Sequence, residues 1–184
     1  MQSNRALILR GNRFLGSALV DKGLLSTEQL EAANDRFMEC VQQDGVEQVS
    51  LLTILLHEQK AITEDALLTY YHKHLKMGLI DPTHLEELPP REMGYDLTLA
   101  RATLTIPFDR QDGFTCLASA YFLSAPVVKA WETLYSEKLI WYAASVRGVL
   151  NYLERAEALE AALAEAEAEL EAEEASAAKQ KNKE

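Results

Sequence analysis

Four histidines and two cysteines are the side chains of this sequence best suited to metal binding or nucleophilic chemistry. A zinc site on a helix takes ligands three or four residues apart, drawn from His, Cys and acidic groups. His72 and His74 are two apart and point to different faces of any helix that carries them, while His57 and His84 stand alone. Cys40 and Cys116 form no CxxC pair and sit among apolar neighbours, the setting of reduced, buried thiols. Ser119, Ser124 and Ser136 lack the GxSxG turn that exposes a nucleophilic serine. The eight glycines include no GxxxxGK[ST] phosphate loop. The Glu residues after 154 belong to a solvated helix face and not to acid–base pairs. No catalytic residue, metal ligand or cofactor site is expected, so the chain reads as a non-enzymatic binding module.

Composition narrows the partners. The 184 residues are 48% hydrophobic, enough for a substantial core, and the formal net charge is -11. Such a balance disfavours nucleic acid and anionic membranes, which need basic surface. Residues 154–184 hold ten Glu against four Lys or Arg, so the rest of the chain is only mildly acidic. No apolar run approaches the ~18 residues of a membrane span, and the short run Ala6–Leu9 is too brief for a secretory signal. A soluble, cytoplasmic protein without membrane insertion is expected.

The elements follow from an internal repeat. Residues 15–30 align with residues 52–67 at an offset of 37, pairing Leu15 with Leu52, Leu19 with Leu56, Leu25 with Ile62 and Leu30 with Leu67. Ser26 and Thr63 coincide as helix N-caps, and Ser26 with Gln29 spells a capping box. Each copy reads as a short apolar helix, a turn and a capped amphipathic helix, with Leu30, Ala33 and Phe37 in one stripe and Leu67, Tyr71 and Leu75 in the other. Gly23 suits the first turn because it tolerates positive φ. Lys60 stands in its place in the second copy and predicts a different turn. Gln42–Gln48 reads as a polar loop between the copies.

Four units are expected. Residues 1–78 form a four-helix unit of two hairpin repeats, closed by Gly78. Residues 79–101 are a connector with short helices, one beginning at Asp81-Pro82 and one running from about Pro90 to Ala100. Residues 102–155 form a mixed β-β-α-β-α unit. Its strands are Ala102–Phe108, Phe114–Tyr121 and Leu139–Ala143, its hairpin turns at Asp112-Gly113, and its helices open at Ser124-Pro126 and Ser145. Residues 156–184 are an Ala/Glu-rich helix and a frayed tail, expected to project from about Ala156 because little apolar area is left to bury. The fold class is α+β.

The run Leu15-Gly16-x-x-Leu19-Val20-x-x-Gly23-Leu24-Leu25, with Leu30, resembles the N-terminal domain of type II secretion and type IV pilus assembly ATPases, the GspE N-terminal or MshEN-type domain. Ile106-Pro107-Phe108, Asp112-Gly113, Leu117-Ala118 and Ala125-Pro126 extend the similarity, which covers roughly residues 13–155. Without a phosphate loop, the chain looks like a free-standing copy of that domain. The resemblance implies an adaptor that docks on, or regulates, a protein component of a bacterial secretion or pilus machine. Some members of the family bind cyclic di-GMP through Arg-Leu-Gly-x-x-Leu-Val-x-x-Gly and a later Gln, present twice. The alternative is therefore a degenerate cyclic di-GMP sensor using Arg13, Leu15, Gly16 and Gly23. Phe14 stands in the arginine place with Arg13 beside it, and Phe37 stands where the Gln would be. In the second copy Leu51, Thr53, Lys60 and His74 occupy the arginine, two glycine and glutamine places. With most of the polar readers replaced, a packed hairpin is expected before a nucleotide site.

Overall fold

The computed structural model describes the backbone of residues 2–45 and 49–181, and the side chains of residues 5–43, 45 and 49–172. The fold is α+β. The first repeat is α1 (Gln2–Asp21) and α2 (Thr27–Asp44), and the second is α3 (Leu51–Thr53), a π-helical turn (Ile54–Glu58) and α4 (Glu64–Leu75). After these come β1 (Gly78–Leu79), a 3-10 turn (Pro82–His84), α5 (Pro90–Met93) and α6 (Leu97–Thr103). The chain ends in β2 (Thr105–Gln111), β3 (Phe114–Ser119), α7 (Ala125–Leu134), β4 (Lys138–Ala143) and α8 (Val146–Lys181).

Local chemistry sets most of these boundaries. Ser26 Oγ accepts from Gln29 N at 3.2 Å while Gln29 Oε1 accepts from Ser26 N at 2.9 Å, the expected capping box. Thr63 Oγ1 caps α4 by accepting from Ala66 N at 3.1 Å. Asp112 and Gly113 both take positive φ, 48° and 81°, the geometry that lets a two-residue turn follow the strand twist. Lys60 also adopts a left-handed φ of 50°, close to the 71° of Gly23, so the two copies share a left-handed turn residue despite the loss of glycine. They differ just before it. In the first copy Leu24 N donates to Leu19 O at 2.9 Å, whereas in the second Ala61 N donates to Leu55 O at 2.9 Å, one residue further back. The π turn absorbs that extra residue.

Several elements depart from the sequence reading. α1 begins at Gln2, well before the repeat, and α2 runs to Asp44, so the polar loop starts later than Gln42; its residues 46–48 lie outside the described ones, as does the tail from 182. Gly78 does not merely close the bundle: it begins β1, which pairs in parallel with β4 through Gly78–Tyr142 and Leu79–Ala143. The sheet therefore has four strands in the order β1-β4-β3-β2, not three. A two-residue strand has no alternation to betray it. The helix expected from Pro90 to Ala100 is broken at Gly94, which takes φ 73° and ends α5. The one begun at Asp81-Pro82 is a single 3-10 turn. Ala102 and Thr103 belong to α6 and not to the strand. The Thr103 hydroxyl bonds back to Leu99 O at 2.7 Å, and Leu104 ends the helix at φ 43°.

One buried cluster runs from Ile8, Leu15 and Leu19 through Leu55, Leu67 and Tyr71 to Leu117, Trp131 and Leu153. A polar network lies inside it. Asn12 Oδ1 on α1 accepts from Leu51 N at 2.9 Å and from the Tyr121 hydroxyl at 2.6 Å, and the Asn12 amide donates to Ile8 O at 2.9 Å. The Tyr121 oxygen also lies 2.6 Å from Ser50 Oγ. Nearby, Tyr71 on α4 donates to Ala120 O at 2.8 Å and Ser124 donates to Gly11 O at 2.8 Å. α1 and α7 can approach this closely because Gly11 has no side chain; a Cβ there would lie 3.0 Å from Val127 Cγ2.

α8 starts on α4: Glu64 Oε1 accepts from Val146 N at 2.7 Å and Arg147 N at 3.3 Å, a carboxylate on the positive end of the helix. Ser145 Oγ takes Gly148 N at 2.9 Å, as the sequence predicts. Arg155 donates to Leu85 O at 3.2 Å and Pro82 O at 2.9 Å and pairs with Glu87. Arg101 meets Glu157 at 2.9 Å, and Arg91 meets Glu167 at 2.8 Å. The helix is thus strapped to the connector about three turns beyond Ala156 before it leaves the body. Among the described residues no helix is long and apolar enough to cross a membrane.

Asn12→Ala removes the acceptor for both Leu51 N and the Tyr121 hydroxyl and should lower unfolding free energy by about 1–3 kcal/mol. Urea titration followed by circular dichroism measures it, and an unchanged midpoint would mean the network holds nothing.

Candidate functional site

The site read from the first repeat falls on α1 and the turn after it. Arg13 and Phe14 are exposed, Phe14 at 49%, while the next two residues turn inward. Leu15 is fully buried and packs in the core. Gly16 is covered: a Cβ there would lie 2.5 Å from Leu30 Cδ1 and 3.1 Å from Leu51 Cδ2. Gly23 sits exposed at the turn, with nothing within 4 Å of the position a Cβ would take. The structure therefore brings Leu15 and Gly16 together inside the helix packing and leaves Arg13 and Gly23 outside it. The surface over Gly16, where a ligand would need backbone access, is occupied by leucine side chains.

Of the other positions, two have gone into the core and the rest have not. Phe37 and Leu51 are buried. Thr53 is half-buried, and its N–H donates to Ser50 Oγ at 3.4 Å. Lys60 is exposed at the second turn, and His74 is exposed and stacked on Tyr70 with centroids 4.9 Å apart. The buried positions cannot contact a nucleotide without opening the bundle.

Sequence reasoning missed a cleft of about 300 Å³ between α2, the second repeat, α6 and α8. Arg36 and Glu58 flank it as an ion pair of 2.8 Å, Arg101 faces it from α6, and Ile54, Leu104 and Leu150 form apolar wall. Its lining comes from segments far apart in the chain, so no local signal marks it. Both arginines already hold glutamates, and Cys40 is its nearest candidate nucleophile, with no histidine in the lining. The other thiol, Cys116, is pushed up by burial and then by Asp109, the reverse of what activates a nucleophilic cysteine.

Comparison with known proteins places the fold. No family model and no curated protein matches the chain. The N-terminal domain of XpsE, solved in two crystal forms, matches at 19% and 18% identity, each with a TM-score of 0.51. The alignments cover 79% and 76% of this chain and 94% and 91% of the XpsE chains. A structure of MshE with cdg aligns at 19% identity over 77% of this chain and 96% of that one, at a TM-score of 0.47, too loose to add weight. The fold is thus that of the XpsE N-terminal domain, in keeping with the resemblance carried by the repeat around Gly16 and Gly23.

If Gly16 serves helix packing, its substitutions should depend on Leu30. Alanine gains about 1 kcal/mol of helix propensity over glycine. Overpacking against Leu30 opposes this by about 1–3 kcal/mol. Gly16→Ala should therefore be neutral or destabilising in the native chain and stabilising in a Leu30→Ala background. Thermal unfolding of the four proteins gives the sign, and the same effect in both backgrounds would rule out the packing role.

Proposed function

We propose that this chain is a non-enzymatic adaptor that docks on, or regulates, a protein component of a secretion or pilus machine in the bacterial cytoplasm. The observation that carries this reading is a retained scaffold with a filled ligand face. The fold is that of the XpsE N-terminal domain, yet Phe37, Leu51 and the Leu30 side chain over Gly16 belong to the packing of the helical repeats. A domain that keeps its architecture after most of its polar readers are replaced retains chiefly its outer surface as a means of recognition. Exposed Phe14 and Met38, 49% and 48% accessible on α1 and α2, are candidate contacts for such a partner. The second reading, a degenerate cyclic di-GMP sensor, draws its support from Arg13, which stays exposed beside the buried Gly16.

Both readings can be tested on the purified chain and in its host. A photo-crosslinking residue at Phe14 is expected to trap a cytoplasmic component of the secretion or pilus machine, and labelling no such component would count against the adaptor. Calorimetric titration with cyclic di-GMP is expected to show no micromolar binding; micromolar affinity abolished by Gly16→Trp would favour the sensor. The protein is expected not to hydrolyse ATP, and turnover that a point substitution in this chain removes would refute the non-enzymatic reading.

A further inference from the structure

The inward stripe of α8 runs through Val149, Leu153 and Ala156, all fully buried. At the same alternating spacing of four and three, its next positions are Glu160 and Leu163. A carboxylate thus stands where the stripe calls for an apolar side chain. The Glu160 side chain is 32% exposed, yet its Oε2 is enclosed and has no hydrogen-bond partner among the described residues. Its Oε1 lies 4.0 Å from Arg91 Nε, but Arg91 makes its close contact, 2.8 Å, with Glu167.

Near this carboxylate, on the connector just past α5, stands the buried Tyr95. Its hydroxyl is likewise enclosed without a partner among the described residues. Burial pushes its pKa up, and the charges of Tyr152, Tyr135 and then Glu160 add to the shift, so the hydroxyl stays protonated close to a carboxylate with which it makes no hydrogen bond. The two neighbouring tyrosines are satisfied: Tyr152 accepts from Leu88 N at 3.0 Å, and Tyr135 donates to Met93 O at 2.9 Å. An enclosed carboxylate oxygen and an enclosed hydroxyl without partners each carry a desolvation cost that exposure to water would remove.

We propose that the arm of α8 beyond Glu157 is a strap with two positions, seated against the connector as in this structure and lifted with Glu160 and the Tyr95 hydroxyl in water. Glu160 is its release point. Little holds the arm down: Leu159 and Leu163 are only half-buried, and Arg91–Glu167 is an exposed ion pair of the kind that contributes little. Toward the start of the helix the grip is of another order. Tyr152, Leu153 and Ala156 are fully buried there, and Arg155 holds two backbone carbonyls. Lifting is therefore confined to the arm and leaves the packed part of α8 in place.

Amide hydrogen exchange of the full chain, read by mass spectrometry on peptides of α8, tests this. Residues 158–168 are expected to exchange about tenfold or more faster than residues 149–157. Glu160→Leu completes the stripe and should slow exchange of the arm by about tenfold or more. Tyr95→Phe deletes the orphaned hydroxyl and should slow it as well. Glu165→Leu, an exposed change elsewhere on the arm, should leave the rate unaltered and so separates seating from helix propensity. Uniform protection across 149–168, or exchange that Glu160→Leu does not slow, would overturn the proposal. So would faster exchange in Tyr95→Phe, the sign that the hydroxyl holds Glu160 in the seated position.

Discussion

The Tyr121 hydroxyl stands where the two halves of the chain meet. It donates to Asn12 on α1, sits against Ser50 at the head of α3, and is carried by the loop that leaves β3. Burial pushes its pKa up to about 12, so it remains a protonated donor at any ordinary pH. Polar atoms in such a place must be mutually satisfied, because each one left without a partner costs more than a formed bond contributes. That requirement fixes how α1 seats against the head of α3 and the loop after β3. The Tyr71–Ala120 and Ser124–Gly11 bonds hold the same loop to α4 and to α1.

Much of this fold is legible because it is local. The capping box at Ser26, the cap at Thr63, the Asp112-Gly113 turn and the apolar stripes of α2 and α4 each depend on residues a few positions apart. What stays hidden is set from a distance. β1 is two residues long and exists because β4 offers it an edge. Lys60 and Leu104 take left-handed conformations that their side chains disfavour, held by the helices they terminate. Thr103 looks like strand, but its hydroxyl serves α6 and accepts from Trp131 Nε1 at 3.1 Å.

The candidate site was half legible for the same reason. The missing arginine and glutamine are visible in the sequence as Phe14 and Phe37, and the replacements point to a packed hairpin. That Leu30 lies over Gly16, or that Phe14 stays outside while Phe37 goes in, depends on how the two repeats face one another. Gly16 lies beneath Leu30 and Leu51, where its missing side chain lets the repeats pack closely.

The fastenings of α8 follow one another along its length. Outermost is Arg91 on Glu167, an exposed pair of the kind worth less than about 1 kcal/mol. Next comes Arg101 on Glu157, then Arg155 gripping two backbone carbonyls and Glu87, and last the Glu64 carboxylate on the helix's first N–H groups. A pull on the free end would load these fastenings one after another, from the tip inward. The base at Glu64 lies on α4, one of the helices of the second repeat, so tension that reaches it acts on the repeat itself. The arm is in this sense a tether whose compliance is spent at the surface before any load enters the core.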